Sequence, residues 1–364
     1  MLRIAFVVYG SLDNVSGGFI YDRALVGALR AAGHQVDVVA LPWRRYAAAV
    51  AAAVVGAARG WRRRAAGAPY DAVVEDELVH PSLFLRGGDG RTPPARVRLA
   101  LVHNLRSAQP GEPLAALKRR IERRYLRGVG GVVAVCARTL GDVRALAGGD
   151  VAGVVVHPGR DHVAPDVDAG AAAARAREPG PLRLLHVAAV RPAKGLARLL
   201  DALSLARARG ADCVLDVVGS LEDAAHVRAM RGRIADAGLA GRITLHGERT
   251  GAALLQLYRR GQLFVLPSDR EAYSLACLEA LGFGLPVVAT SRGGLGELVT
   301  PGRDGLLLDP DDTAAWAAAL ARLAGDRDAL ATMAAAAVAR YRAHATWREA
   351  AAAVAAFIVE RSRR

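Results

Sequence analysis

Short apolar runs alternate with stretches of helical periodicity along the whole chain, and this alternation constrains the fold more than any other feature. Strand, crossover helix and parallel strand form the unit that produces such a pattern, and chains built from it fold as α/β domains around parallel sheets. The first half predicts strands near 2–9, 35–41, 71–75, 98–103, 131–136 and 153–156, with a helix near 19–32. The second half predicts strands near 182–189, 213–218, 242–246, 262–266, 286–289 and 305–308. Helices are expected between them near 194–208, 221–238, 250–260 and 274–283, and the Ala-rich tail from about 311 reads as helix. The stretch PDVDAGAAAARAREPGP at 165–181 breaks the pattern, because it has mixed charges and no apolar stripe, and it reads as an interdomain linker. Two successive doubly wound, Rossmann-like halves place a ligand crevice between them, outside the carboxyl ends of the strands.

A chain of 364 residues, 52% hydrophobic, can build two cores. No apolar run reaches the roughly 18 to 20 residues that span a bilayer. The N-terminal apolar run, Ile4 to Tyr9, is shorter than the core of a secretory signal, so a cytoplasmic location is expected. Cys136, Cys213 and Cys277 lie far apart without paired metal or redox spacing, and are expected to be small buried residues. The net charge is +14, and residues 1–161 carry 23 basic against 13 acidic side chains. Such a surplus suits an anionic partner, either an acidic membrane surface or a charged substrate. The plainer alternative is a solvated arginine-rich surface. Nucleic acid is not expected, because no recognition motif or aromatic-basic platform is present.

The stretch WRRYAAAVAAAVVGAARGWRRR at 43–64 places small apolar residues, 47–58, between Trp/Arg flanks. That composition suits peripheral contact with an anionic membrane, although a weakly hydrophobic Ala helix can equally pack on its own sheet.

Lysine is scarce, with only Lys118 and Lys194 against 47 arginines. Lys118 falls in a helical basic run, KRRIERRYLR, where arginine would serve equally well. Lys194 follows the first strand of the second half and should open a helix, where free amides and the positive dipole end favour phosphate. Farther on, Glu271 and Glu279 stand eight positions apart across a strand–loop–helix junction. The first can face a sugar and the second a ribose diol, with Ser274 and its neighbours Ala272 and Tyr273 near the helix start, toward phosphate.

These residues carry a resemblance. The stretch 264–290 resembles the retaining glycosyltransferases of family 4, of GT-B architecture, whose mark is Glu-x7-Glu followed by Gly-x-Pro-Val-Val. Here it reads Glu271, Glu279, then Gly284-Leu285-Pro286-Val287-Val288. The supporting pieces occur in the family's order: Gly17-Gly18, His103, HPGRD at 157–161, Pro192-Ala193-Lys194-Gly195, Gly219, Gly293-Gly294 with Glu297, and PGRDGLLL at 301–308. The resemblance implies transfer of a sugar from a nucleotide-diphosphate sugar to a small-molecule, glycan or lipid acceptor, with no cofactor. It implies that Glu271 contacts the transferred sugar, that Glu279 holds the ribose and that Lys194 neutralises the departing diphosphate. Gly17 and Gly18 would admit phosphates or acceptor, His103 would lie near the transferred sugar, and Gly219 beside the nucleobase. His103, Asn104, Arg106 and Glu77 would line the acceptor side. The implied organisation is an acceptor-side domain at 1–164, the linker, a donor domain at 182–345, and a C-terminal helix at 346–364 packing back on the first domain.

Two departures from the pattern stand out. The family's Arg five residues before the Lys is Ala189 here, for which Arg191 is the candidate substitute, and the Gly usual after the first motif Glu is Ala272. Metal dependence is not expected: Asp166-Val167-Asp168 imitates a metal-binding Asp-x-Asp but lies in the linker, and Asp309-Pro310-Asp311-Asp312 looks like a helix start. Neither a dinucleotide-binding Gly-x-Gly-x-x-Gly turn nor a P-loop is present. A sugar-nucleotide epimerase or phosphorylase of the same architecture, or a non-catalytic sugar-nucleotide binder, remains the alternative.

Overall fold

The structure, a computed structural model, describes residues 1–14, 16–55, 69–85, 94–109 and 111–363. The chain forms two compact units, residues 1–162 with 345–364, and residues 163–344.

The first unit contains β1 (Arg3–Tyr9), α1 (Gly17–Ala31), β2 (Gln35–Leu41), α2 (Tyr46–Val55), β3 (Tyr70–Asp76), α3 (His80–Leu83), β4 (Ala95–Val102), α4 (Ala115–Arg127), β5 (Gly131–Ala134), α5 (Ala137–Ala147) and β6 (Gly153–Val155). Its strands form one parallel sheet in the order β2-β1-β3-β4-β5-β6. Ile4 to Tyr9 are all buried, as an inner parallel strand covered on both faces requires. The inward stripe of α1 is Phe19, Asp22, Leu25, Val26 and Leu29, at helical spacing but with one acid in it.

The second unit contains α6 (Ala169–Arg177), β7 (Leu182–Val187), α7 (Leu196–Ala208), β8 (Cys213–Val218), α8 (Ala224–Asp236), β9 (Ile243–Leu245), α9 (Gly251–Arg260), β10 (Leu263–Leu266), α10 (Leu275–Gly282), β11 (Val287–Thr290), β12 (Gly305–Leu308), α11 (Thr313–Gly325) and α12 (Arg327–Arg342). Its sheet is also parallel, in the order β12-β11-β10-β7-β8-β9. The chain then ends in α13 (Trp347–Ser362), part of the first unit. A capping box between Thr346 and Glu349 starts α13, and its buried Trp347, Val354, Phe357 and Ile358 pack in that unit's core. A Cβ on Gly131 would sit 2.9 Å from Phe357 Cζ, so β5 is glycine where the last helix crosses it.

Every strand predicted from the sequence is present, with small shifts at the ends. The stretch 165–181 is a correction, since it holds α6 instead of an irregular linker. Asp168 caps that helix through Ala171 N–H at 2.7 Å, and Ala172 and Ala176 are buried against α12. Its apolar stripe consists of alanine methyls, which permit close helix packing without a strong hydrophobic signal. Gly284 allows the approach: at φ +68, a Cβ there would meet Ala172 Cβ at 2.4 Å. Asp312 caps α11 through Ala315 N–H at 2.9 Å, while Asp309 and Asp311 pair with Arg292. Asp166 pairs with Arg259 at 3.0 Å. Cys136 and Cys277 are buried and Cys213 is partly so; burial pushes the Cys213 thiol up to about 11. Of the apolar stretch at 47–58, α2 covers the part to Val55, and the remainder with its basic flank lies outside the described residues. Among the described residues no helix is long and apolar enough to cross a membrane.

Candidate active site

In the second unit, the loops leaving β7 and β10 are laced together. Pro192–Lys194 form one 3-10 turn after β7, and Gly195 at φ +75 opens α7. Only glycine fits there, because a Cβ would stand 1.9 Å from the Pro267 carbonyl oxygen. Asp269 N–H then donates to the Ala193 carbonyl at 2.9 Å. This lacing brings the Lys194 ammonium to 2.6 Å from Glu271 Oε1. Lys194 remains 36% exposed while the Glu271 side chain is 10% exposed, so the cation faces outward above a sheltered carboxylate.

The Glu271 backbone is fixed from a third direction. Its N–H donates to the Arg292 carbonyl at 3.0 Å, and its carbonyl accepts from Gly294 N–H at 2.8 Å. Gly293 lies at φ +127, where a Cβ would be 1.8 Å from the Glu271 carbonyl oxygen. The glycine pair at 293–294 thus serves as the seat of Glu271.

Ser274, at φ +70, caps α10 by accepting from Cys277 N–H at 3.3 Å. The first-turn amides of α7 and α10 lack intrahelical acceptors, which makes both helix starts suited to an anion. Glu279 lies on α10 and accepts from the Tyr258 hydroxyl at 2.7 Å. Burial, then Glu279, raise the Tyr258 pKa, so the phenol stays a donor. The buried Cys277 thiol falls within electrostatic reach of all three predicted charges. Burial is the main cause of its raised pKa, with Glu271 and Glu279 raising it further and Lys194 lowering it.

The other predicted donor-side residues have mixed placements. Ala272 and Tyr273 are buried, and the Tyr273 hydroxyl reaches His344 Nε2 at 3.2 Å. Gly219 lies at φ +149, with a Cβ position 2.1 Å from the Ala188 carbonyl oxygen. Arg191 is directed to Glu222 at 3.5 Å, with the pair largely exposed. His186, on β7, was not predicted. Its Nδ1–H donates to the Val265 carbonyl at 2.9 Å, and among the described residues Nε2 has no partner. Burial lowers its pKa to about 4; Lys194 lowers it further and Glu271 opposes. The imidazole is therefore neutral at pH 7.

In the first unit, a second cluster forms around His103, which follows β4. Its Nε2 lies 3.0 Å from Asp22 Oδ1 and 3.6 Å from Asp76 Oδ2, and its ring meets Tyr21 edge-on at 5.0 Å. A Cβ on Gly18 would be 3.4 Å from the His103 ring, so Gly17-Gly18 brings the start of α1 against the imidazole. Glu77 accepts from the backbone N–H groups of His103 and Asn104, the latter at 2.6 Å. Burial, then the charge of Asp22, raise the Asp76 pKa; burial raises those of Asp22 and Glu77.

Asp22, Asp76 and His103 place their donor atoms within 4.8 Å of one another, a group among the described residues that the expectation of no metal did not anticipate. Two carboxylates and an imidazole form a chemically suitable donor set. Asp22 Oδ2 is buried without a hydrogen-bond partner among the described residues, and a proton shared between the two acids would satisfy it without a cation.

Arg106 is engaged elsewhere, with Nε 3.0 Å from Glu112 Oε1. Lys118 is a correction to its reading as an interchangeable surface charge. It is buried, paired with Glu112, and lies over the Tyr46 ring at 5.1 Å.

Residues 181–326 match the family described as "Glycosyl transferases group 1". A D-inositol 3-phosphate glycosyltransferase of Nocardia farcinica is 31% identical over 273 residues, which is 71% of this chain and 60% of that protein. A second protein of the same description, from Thermobispora bispora, is 39% identical over 35% of this chain and 29% of its own length. The chain thus spans less than two thirds of these relatives. Sucrose-phosphate synthase from Thermosynechococcus elongatus has a similar structure, with TM-score 0.81, 20% identity, and 99% of each chain covered. Anabaena Alr3699/HepE in complex with UDP-glucose gives TM-score 0.75 at 18% identity, covering 99% of this chain and 100% of that one. The likeness establishes the fold, two parallel-sheet α/β domains of the GT-B class.

Proposed function

We propose that the chain is a retaining glycosyltransferase of family 4 that moves a hexosyl group from a nucleotide-diphosphate sugar to an acceptor in the cytoplasm, with no required metal or cofactor. One observation carries this reading: an outward-facing ammonium, Lys194, sits 2.6 Å from the sheltered Glu271 carboxylate, at the start of a helix in the segment that matches group 1. Cleavage of an anomeric C–O bond leaves negative charge on the diphosphate and positive charge on the sugar. Lys194 and the helix starts stabilise the first charge, and Glu271 faces the second; preorganised groups of this kind contribute roughly 3 to 4 kcal/mol each.

Glu279, already a hydrogen-bond acceptor, would exchange its Tyr258 contact for a ribose hydroxyl or hold both. Gly219 would border the base, and the backbone around Ala272, Tyr273 and Ser274 would meet phosphate. His103 would act toward the transferred sugar, with Gly17 and Gly18 at its side and Asn104 and Glu77 on the acceptor side. Arg191 and Arg106 would have to leave Glu222 and Glu112 to take part.

A thermal-shift screen of nucleotide sugars, beginning with UDP-glucose and GDP-mannose, tests this. A donor at one hundred times its Kd stabilises by about 2.7 kcal/mol, a rise of several degrees. If no nucleotide sugar raises the melting temperature, the reading fails.

A further inference from the structure

The first unit exposes an apolar and basic face that the proposed chemistry does not use. Among the described residues the exposed large hydrophobics are Met1, Val38, Trp43, Val54, Leu114 and Leu117. The last four lie on or beside two helices, α2 and α4, which belong to one packed patch. Lys118 of α4 lies over Tyr46 of α2, the Tyr46 hydroxyl meets His80 of α3 at 3.1 Å, and the His80 ring lies 6.0 Å from that of Tyr125 on α4.

The two helices complement each other, for α2 is apolar all round and α4 is amphipathic. α2 turns Ala49 and Ala53 inward and leaves Ala47, Ala48, Ala51 and Val54 exposed, so its outer face carries no charge. A helix lying against water alone would carry polar groups there. α4 buries Ile121, Tyr125 and Leu126 and exposes Leu114 and Leu117 at its start, followed by Arg119, Arg120, Arg123 and Arg124. Among the described residues, none of these four arginines is within ion-pair distance of a carboxylate. Arg120, Arg123, Arg124 and Arg127 line, with Phe84, an open recess of about 430 Å³, roomy enough for a phosphate headgroup.

We propose that this face docks on an anionic bilayer, with Val54, Leu114 and Leu117 entering the interface and the α4 arginines bound to lipid phosphates. Charge complementarity and geometry argue for this occupant together. A polynucleotide would engage the guanidiniums but leave the aliphatic side chains in water, whereas an interfacial surface satisfies both. Each arginine near such a surface strengthens partition about fivefold, so four of them should contribute a few hundredfold at low salt.

The test measures partition of the full chain to phosphatidylcholine vesicles with and without phosphatidylglycerol, and does not depend on what reaction the chain catalyses. Wild-type protein should bind the anionic vesicles at least a hundredfold more tightly at low salt, with added salt weakening the binding. The combined variant R119Q/R120Q/R123Q/R124Q should lose about a hundredfold or more, and L114S/L117S about tenfold. All six positions are exposed, so both variants should melt with the wild type. Equal or negligible binding to the two vesicle types would overturn the proposal. So would full retention of binding by the arginine variant, or tighter binding to single-stranded RNA that L114S/L117S leaves unchanged.

Discussion

Replacing Lys194 and Glu271 separately and together distinguishes a catalytic pair from a structural one. Lys194→Gln removes the cation but leaves the Glu271 carboxylate in a sheltered position, with its 2.6 Å partner gone. A fully buried orphan would cost about 3 to 5 kcal/mol. Water reaches this pair through the 36% exposed lysine, so the loss should be nearer 1 to 2 kcal/mol, about 2 to 8 °C for a domain of this size. Glu271→Gln leaves the half-exposed ammonium able to solvate itself and should cost less. In Lys194→Gln/Glu271→Gln no unpaired charge remains, and stability should return to within about 0.5 kcal/mol of wild type. Turnover should behave differently. If the ammonium stabilises a departing diphosphate, each single variant should lose about a hundred- to a thousandfold in kcat, and the double variant should recover none of it. Thermal unfolding gives the first quantity, and release of nucleoside diphosphate at saturating donor gives the second. Recovery of turnover together with stability in the double variant would refute the catalytic reading, as would near-wild-type kcat in Lys194→Gln.

Gly293→Ala places a methyl 1.8 Å from the Glu271 carbonyl oxygen at φ +127, so the backbone must move. The expected cost is about 1 to 3 kcal/mol of stability, with turnover down about a hundredfold through displacement of Glu271; unchanged turnover would show that Gly293 does not position the carboxylate. For His186 the folded pKa of about 4 lies below that of a free imidazole, so the unfolded chain binds the extra proton. This contribution is complete above about pH 6.5 and is lost as the pH falls toward 4, by up to roughly 3 kcal/mol. Asp76 and Glu77, whose folded pKa values are raised, act in the opposite direction and lose stability as pH rises. The readout is therefore the difference between wild type and His186→Gln in urea unfolding across pH 4 to 7. Parallel pH profiles would contradict the assignment of a neutral, buried ring.

The strands were legible because buried parallel strands are uninterrupted apolar runs, and Ile4–Tyr9 and Val287–Thr290 have no competing helical pattern. Helix α6 was not legible. Its buried face is Ala172 and Ala176, and alanine contributes too little hydrophobicity to mark a stripe, even though packing against α12 covers it fully. Lys118 illustrates the same limit for charge. In the sequence it is one cation among many, and only the fold brings Glu112 and Tyr46 around its ammonium.

The site divides along a similar line. Lys194 stood out by rarity, and Glu271 with Glu279 by spacing, both properties of a linear string. Asp22 and Asp76 carried weaker signals that could have been followed: an acid on the apolar stripe of α1, and an acid ending the parallel strand β3. Their meeting at His103 joins residues 22, 76 and 103, a conjunction set by strand order and invisible to local pattern. Arg191 shows the converse, since nearness in sequence to Lys194 did not direct its guanidinium there; Glu222 holds it instead. The glycines at 293 and 294 unite both cases. Their pattern can be read from the string, but their physical reason cannot. Gly293 is glycine because another backbone, that of Glu271, occupies the space a side chain would need. A motif that looks like a loop preference is therefore a contact across the structure, and it fixes the carboxylate on which the proposed chemistry depends.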